Sequence, residues 1–195
     1  MNIKIGYVME PLSKISSEPL TLSCDFELGI INSIEEVFPN CQVCGCFFHL
    51  KKSIYRKIQS TGLVEEYGDV TNNENQTRLY CKMLACLAFV PVDFVVDAFE
   101  EIKKKAPSKV IELYKYFEEY YIGKISRGRY ATRKTPIYEI SMWNCVERTK
   151  LGLPRTNNNL EGWHNGIKST IRSHPHLLSL IDCLKLEQSN TENSI

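Results

Sequence analysis

The chain has 195 residues, is 43% hydrophobic and 24% charged, and carries a formal net charge of +1. That length supports one folded domain with a real core, and the composition excludes the low hydrophobicity and charge excess of a disordered chain. Near-neutral charge leaves any polyanion-binding surface to local clustering, while no apolar run approaches the roughly 18–20 residues of a membrane span and no apolar leader follows Met1, so an intracellular protein without membrane contact is expected.

Residues Asn2–Met9 alternate polar and apolar side chains as a half-buried strand does. Pro11 and the Ser/Pro stretch to Pro19 interrupt it. Leu20–Cys24 reads as a short strand that delivers Asp25 at its carboxyl end. Phe26, Ile30, Ile34, Val37 and Phe38 then recur at helical spacing until Pro39 stops the run. A second strand over Gln42–Phe48 leads into a helix over Leu50–Gln59 that Gly62 closes, and strand followed by helix indicates an α/β layer.

From Asn75 the pattern is helical, with segments Arg78–Phe89, Asp93–Lys105 and Ser108–Tyr121 separated by Pro91 and Pro107. Gly123–Pro136 lacks periodicity and carries Lys124, Arg127, Arg129, Arg133 and Lys134 without an acid, as a basic loop or ribbon. An apolar turn around Trp143 precedes two more helices, Asn158–Arg172 and Pro175–Gln188, and a polar tail to Ile195.

Eight cysteines do not impose a disulfide framework, because Cys81, Cys86, Cys145 and Cys183 fall in apolar or helical patterns where free, buried thiols are common. A reducing compartment is expected, and the sequon Asn75-Gln76-Thr77 is then a chance match.

Several residues could carry chemistry. Asp25 reads either as the N-cap of the next helix, the default from the residues alone, or as a functional carboxylate above a sheet edge. Glu161 fits a capping box behind Asn157 and Asn158. It also shares a helical face with Asn165, Lys168 and Arg172, opposite an apolar face of Leu160, Trp163, Ile167 and Ile171. Carboxylates converging from separate elements are what two-metal phosphoryl transfer requires. Cys41, Cys44, Cys46 and His49 have zinc-like gaps, but in an extended segment Cys44 and Cys46 face away from Cys41 and His49, so buried cysteines are expected rather than zinc. The basic stretch and the pair Lys168 and Arg172 suit phosphates, with Tyr130 for stacking, or else form a solvated charged surface.

Several blocks in order resemble one family. Cys24-Asp25-Phe26-Glu27 with Phe38-Pro39, Gly45-Cys46-Phe47-Phe48-His49, Leu87-Ala88-Phe89-Val90-Pro91, Tyr116-Phe117-Glu118, Trp143-Asn144, Pro154 to Asn158 and Glu161-Gly162-Trp163-His164 look like the core of Mutator-like element (MULE) transposases after its second catalytic aspartate. The resemblance covers about residues 20 to 190. It implies an α/β chain with an incomplete ribonuclease-H-like (DDE transposase) core and a large all-helical insertion. The implied parts are a partial α/β core over 1–60, a helical insertion with the basic loop over 61–155, returning core helices over 156–190 and a tail over 191–195.

Carried over by residue, Asp25 resembles the second metal-binding aspartate, Glu161 the third acid, and Cys46 and His49 the family's Cys-x-x-His signature, with a positional or DNA-contacting role. Mg²⁺ or Mn²⁺, duplex DNA and a nuclear location follow from the same likeness. The departure is upstream, where no aspartate precedes Asp25. An N-terminally truncated core is therefore expected, inactive by itself because a hard cation depends on each ligand, and with sheet edges that need a second copy or another chain. The alternatives are a non-catalytic DNA-binding or regulatory remnant and a small zinc-dependent interaction module.

Overall fold

The computed structural model describes residues 20–72, 74–128, 131–156, 162, 169 and 176–192. Two compact units divide the chain, one running to Thr156 and one starting at Asn157. The expected strand over 2–9 lies outside the described residues, and so does the expected helix over 158–172 apart from Gly162 and Ser169, which are helical.

In the first unit, strand β1 (Thr21–Cys24) pairs in parallel with β2 (Gln42–Gly45), Thr21 opposite Gln42 and Cys24 opposite Gly45. Parallel strands need a crossover, and helix α1 (Leu28–Val37) supplies it. Ile34, Phe38 and Cys41 pack with Leu22 and Val43 into a small apolar cluster. The face of α1 is one residue away from the expected one: Ile31 is buried with Ile34, while Ile30 is exposed.

Helix α2 (Phe47–Ser60) starts earlier than its sequence suggests, so β2 ends at Gly45 rather than Phe48. Cys46 stays extended as the N-cap residue, and its carbonyl accepts the first helical bond, from the Leu50 amide at 3.1 Å. The pair Phe47-Phe48 is compatible with either element, and burial of Leu50, Ile54 and Ile58 at helical spacing decides it.

Helices α3 (Val64–Gly68), α4 (Gln76–Cys86), α5 (Val95–Lys105), α6 (Ile111–Phe117), α7 (Ile140–Trp143) and α8 (Val146–Lys150) complete this unit. Asn75 caps α4 by accepting from the Arg78 amide at 2.9 Å and donates to the Glu66 carbonyl at 2.6 Å, which gives the asparagine of the sequon a structural task. Pro91 and Pro107 each precede a short 3₁₀ turn, Val92–Phe94 and Ser108–Val110. A π-helical turn over Glu118–Ile122 extends α6.

One core unites α2 with the helices that follow it. Leu50, Ile54 and Ile58 pack with Leu84, Phe99, Leu113, Phe117, Tyr121 and Trp143, all buried. The ranges 21–60 and 61–155 are thus not separate bodies. The second unit contains helix α9 (Leu177–Glu192), which continues past the expected end at Gln188 into the predicted polar tail. The described chain is α/β, mostly helical, with a two-stranded parallel sheet. Among the described residues no helix is long and apolar enough to cross a membrane.

Candidate functional site

The backbone after β1 is pinned by aromatic packing. Gly45 has no side chain, and a Cβ there would lie 2.6 Å from the Phe26 ring. Phe26 also meets Tyr138 and Tyr121 edge to face, with ring centroids 5.0 and 5.7 Å apart, and the Tyr138 hydroxyl donates to the Phe26 carbonyl at 2.8 Å. Asp25, immediately before Phe26, is therefore fixed at the carboxyl end of β1, where α/β proteins commonly place ligand-binding groups.

Asp25 does not cap α1. The N-cap position falls on Glu27, which makes no side-chain cap bond. Instead the Asp25 Oδ1 lies 2.8 Å from the His49 Nδ1. The two atoms are in close contact, although the ring nitrogen is not aligned for a hydrogen bond. Cys46 and His49 thus divide two tasks. Cys46 is fully buried at the start of α2, and three residues later His49 emerges toward Asp25.

Asp25 and His49 line one part of a cleft of about 600 Å³, with Glu27 also in its lining. One wall is α2, contributing Lys52, Ser53, Arg56 and Lys57; Tyr116, Tyr120, Tyr121 and Tyr138 also line it. Ser53 Oγ joins helix to tyrosines through hydrogen bonds of 2.7 Å with both the Tyr116 and the Tyr121 hydroxyls. Lys57 Nζ sits 5.7 Å from the Tyr116 ring centroid, a cation–π geometry. Among the described residues Lys52, Arg56 and Lys57 make no ion pair.

Burial shapes the titration around this cleft. It raises the Cys24 thiol to about 11, with the neighbouring Asp25 carboxylate adding to the shift. Burial also pushes the Tyr121 phenol well above its ordinary value, so the hydroxyl that meets Ser53 stays protonated.

The predicted basic stretch is a ribbon. Ile125 and Arg133 form an antiparallel bridge, flanked by bonds from Ser126 N to Thr132 O at 2.8 Å and from Lys134 N to Lys124 O at 2.9 Å. Its charges are unequal in availability. Arg133 Nη2 is 2.5 Å from Glu100 Oε1, its Nη1 is 3.5 Å from Glu118 Oε1, and the same Nη1 donates to the Gly123 carbonyl. Lys103 adds a 2.7 Å contact to Glu118, whose side chain is only 11% exposed. Lys124 pairs with Glu119 at 2.9 Å. Arg127 and Lys134 are exposed and make no ion pair among the described residues. Arg129, Glu161, Lys168 and Arg172 lie outside the described residues, so the structure does not place Glu161 relative to Asp25.

Sequence reading missed two features. The first is the basic face of α2, which looks like a solvated helix surface. The second is Arg148, 8% exposed, whose Nη2 donates to the Gly45 carbonyl at 3.0 Å and the Asn144 carbonyl at 3.2 Å. Among the described residues its Nε and Nη1 have no hydrogen-bond partner. No local signal marks Arg148, since it stands between Glu147 and Lys150 in an ordinary polar helix.

All eight cysteines are free thiols, and Cys86 is exposed rather than buried as its pattern suggests. Among the described residues no group of three or more His, Cys, Asp or Glu is arranged to hold a metal ion. Compared with protein-family models, with curated proteins and with solved structures, the chain finds no match in any of the three.

Proposed function

We propose that this chain carries part of the catalytic core of a Mutator-like DNA transposase, a ribonuclease-H-like α/β arrangement interrupted by helices, and that by itself it binds DNA in the nucleus. The observation that carries the reading is the placement of Asp25 at the carboxyl end of a parallel strand, 2.8 Å from His49. The exposed ribbon bases Arg127 and Lys134 suit phosphates, and the sequence likeness of the blocks around Asp25 and Glu161 supplies the family.

The same reading implies Mg²⁺ or Mn²⁺ held by three acids. Of these, Asp25 is described, Glu161 is not, and no aspartate precedes Asp25 in the sequence. Binding, rather than strand cleavage, is the activity assigned to this chain alone.

Titration against duplex DNA tests the reading. Binding is expected to weaken steeply with salt, because released counterions drive it, and to weaken further when Arg127, Arg129 and Lys134 are changed to Gln. Indifference to salt and to those substitutions removes the DNA reading. Supercoiled plasmid is expected to stay intact with Mg²⁺; nicking abolished by Glu161→Gln would show that the chain is an active enzyme after all.

A further inference from the structure

We infer that the cleft between α2 and the tyrosines takes an unpaired DNA strand, with the phosphates on Lys52, Arg56 and Lys57 and a base on Tyr120. The inference rests on the DNA reading above and adds a second, separate contact surface to it.

Size sets the first constraint. A volume of about 600 Å³ is that of a small-ligand site. A duplex cannot enter it, whereas one or two nucleotides of a single strand can. Proteins that act on DNA bases meet the same constraint by flipping the target nucleotide out of the stack or by acting on a single strand.

Charge sets the second. Lys52 and Arg56 are four residues apart on one helix, so they lie about 6 Å apart along its axis and share a face. Both are exposed, and neither has an ion-pair partner among the described residues. A row of unpaired cations along a groove suits a repeating polyanion better than a single phosphate. Asp25 and Glu27 repel phosphate from their part of the lining, which confines the backbone to the Lys52, Arg56 and Lys57 wall.

Aromatic surface sets the third. Tyr120 is half-buried, and its ring packs 4.6 Å from that of Tyr116, which is in turn held by Ser53 and overlain by Lys57. Tyr116 is thereby committed on two sides, and Tyr120 has no side-chain hydrogen bond among the described residues. A half-buried ring beside cations is a stacking platform that tolerates any base.

Fluorescence anisotropy of the whole chain with one labelled oligonucleotide, single-stranded or annealed to its complement, tests the assignment. The double substitution Lys52→Gln/Arg56→Gln is expected to reduce the magnitude of the single-strand salt slope by about 1.4, roughly 0.7 for each phosphate no longer neutralised, and to leave duplex affinity unchanged. Tyr120→Ala is expected to weaken single-strand binding at least about fivefold, whereas Tyr120→Phe, which keeps the ring and the fold, binds as the parent does. Single-strand affinity that ignores both the double substitution and Tyr120→Ala overturns the inference, and if duplex binding through the ribbon persists, the DNA reading stands without it. Failure to bind either form of DNA defeats both. Circular dichroism of each variant distinguishes weakened binding from unfolding.

Discussion

The ribbon over Gly123–Pro136 holds five basic residues and the cleft face of α2 three, yet the structure uses them differently. In the ribbon, Arg133 bridges Glu100 and Glu118 and Lys124 pairs with Glu119. On α2, Lys52, Arg56 and Lys57 stand beside a cleft without an acid in pairing distance among the described residues. The number of charges in a segment therefore says less about anion binding than whether the fold has already neutralised them. An arginine held by two carboxylates has given up much of its field, and freeing it for a phosphate would leave Glu118 buried without part of its compensation.

Three measurements of stability sharpen this contrast, in decreasing order of effect. The largest is at the root of the ribbon. Gly123 has φ +92°, and a Cβ there would lie 1.9 Å from the Lys134 carbonyl oxygen. Gly123→Ala is expected to cost about 3 kcal/mol in urea denaturation, combining a strained backbone with a clash against main chain. A cost under about 0.5 kcal/mol, the range of neutral surface changes, would mean that the ribbon's closure is not fixed.

Next comes the arginine itself. Arg133→Ala removes the Glu100 and Glu118 pairings and the bond to the Gly123 carbonyl. It is expected to destabilise the chain by about 2–3 kcal/mol, less than for a fully buried pair because Lys103 still meets Glu118 at 2.7 Å. Loss of DNA affinity without loss of stability would break the contrast, since it would make Arg133 a DNA-binding residue rather than a strut.

The smallest effects are expected on the exposed bases. Lys124→Ala should change stability by less than about 1 kcal/mol, as an exposed ion pair does. Lys52→Gln and Arg56→Gln should each stay within about 0.5 kcal/mol. If either α2 substitution matched Arg133→Ala in the same denaturation series, the bases of the cleft would be structural too and the two regions would no longer differ.

Much of the helical part was legible from periodicity and punctuation. Pro91 and Pro107 mark where helices restart, and Gly62, at φ +73°, follows the end of α2. The apolar positions Leu50, Ile54 and Ile58 name the buried face of α2. Boundaries were less legible where residues suit two elements. Phe47 and Phe48 continue a strand pattern as well as they open a helix, and Ile30 and Ile31 differ only in which one the core accepts.

The site was legible only in pieces. Asp25 stood out by its place after a strand, but its partner His49 is 24 positions away and came into view only in the zinc-like run from Cys41 and through the Cys-x-x-His likeness, neither of which pairs it with Asp25. Tyr116, Tyr120 and Tyr121 read as ordinary helical aromatics, because nothing in a local window tells a core ring from a cleft wall.

The sequence by itself determined where the longer helices run, where they break, and which side chains could bear charge or bind phosphate, since those depend on local propensity and short-range spacing, whereas the short helices α3, α7 and α8 did not show in it. Tertiary structure decided which charges remain available. Arg133 meets Glu100 and Glu118 across 33 and 15 positions of chain, whereas Lys52 and Arg56 meet no acid among the described residues. Coulomb interactions between groups follow distance in space, and only folding sets that distance.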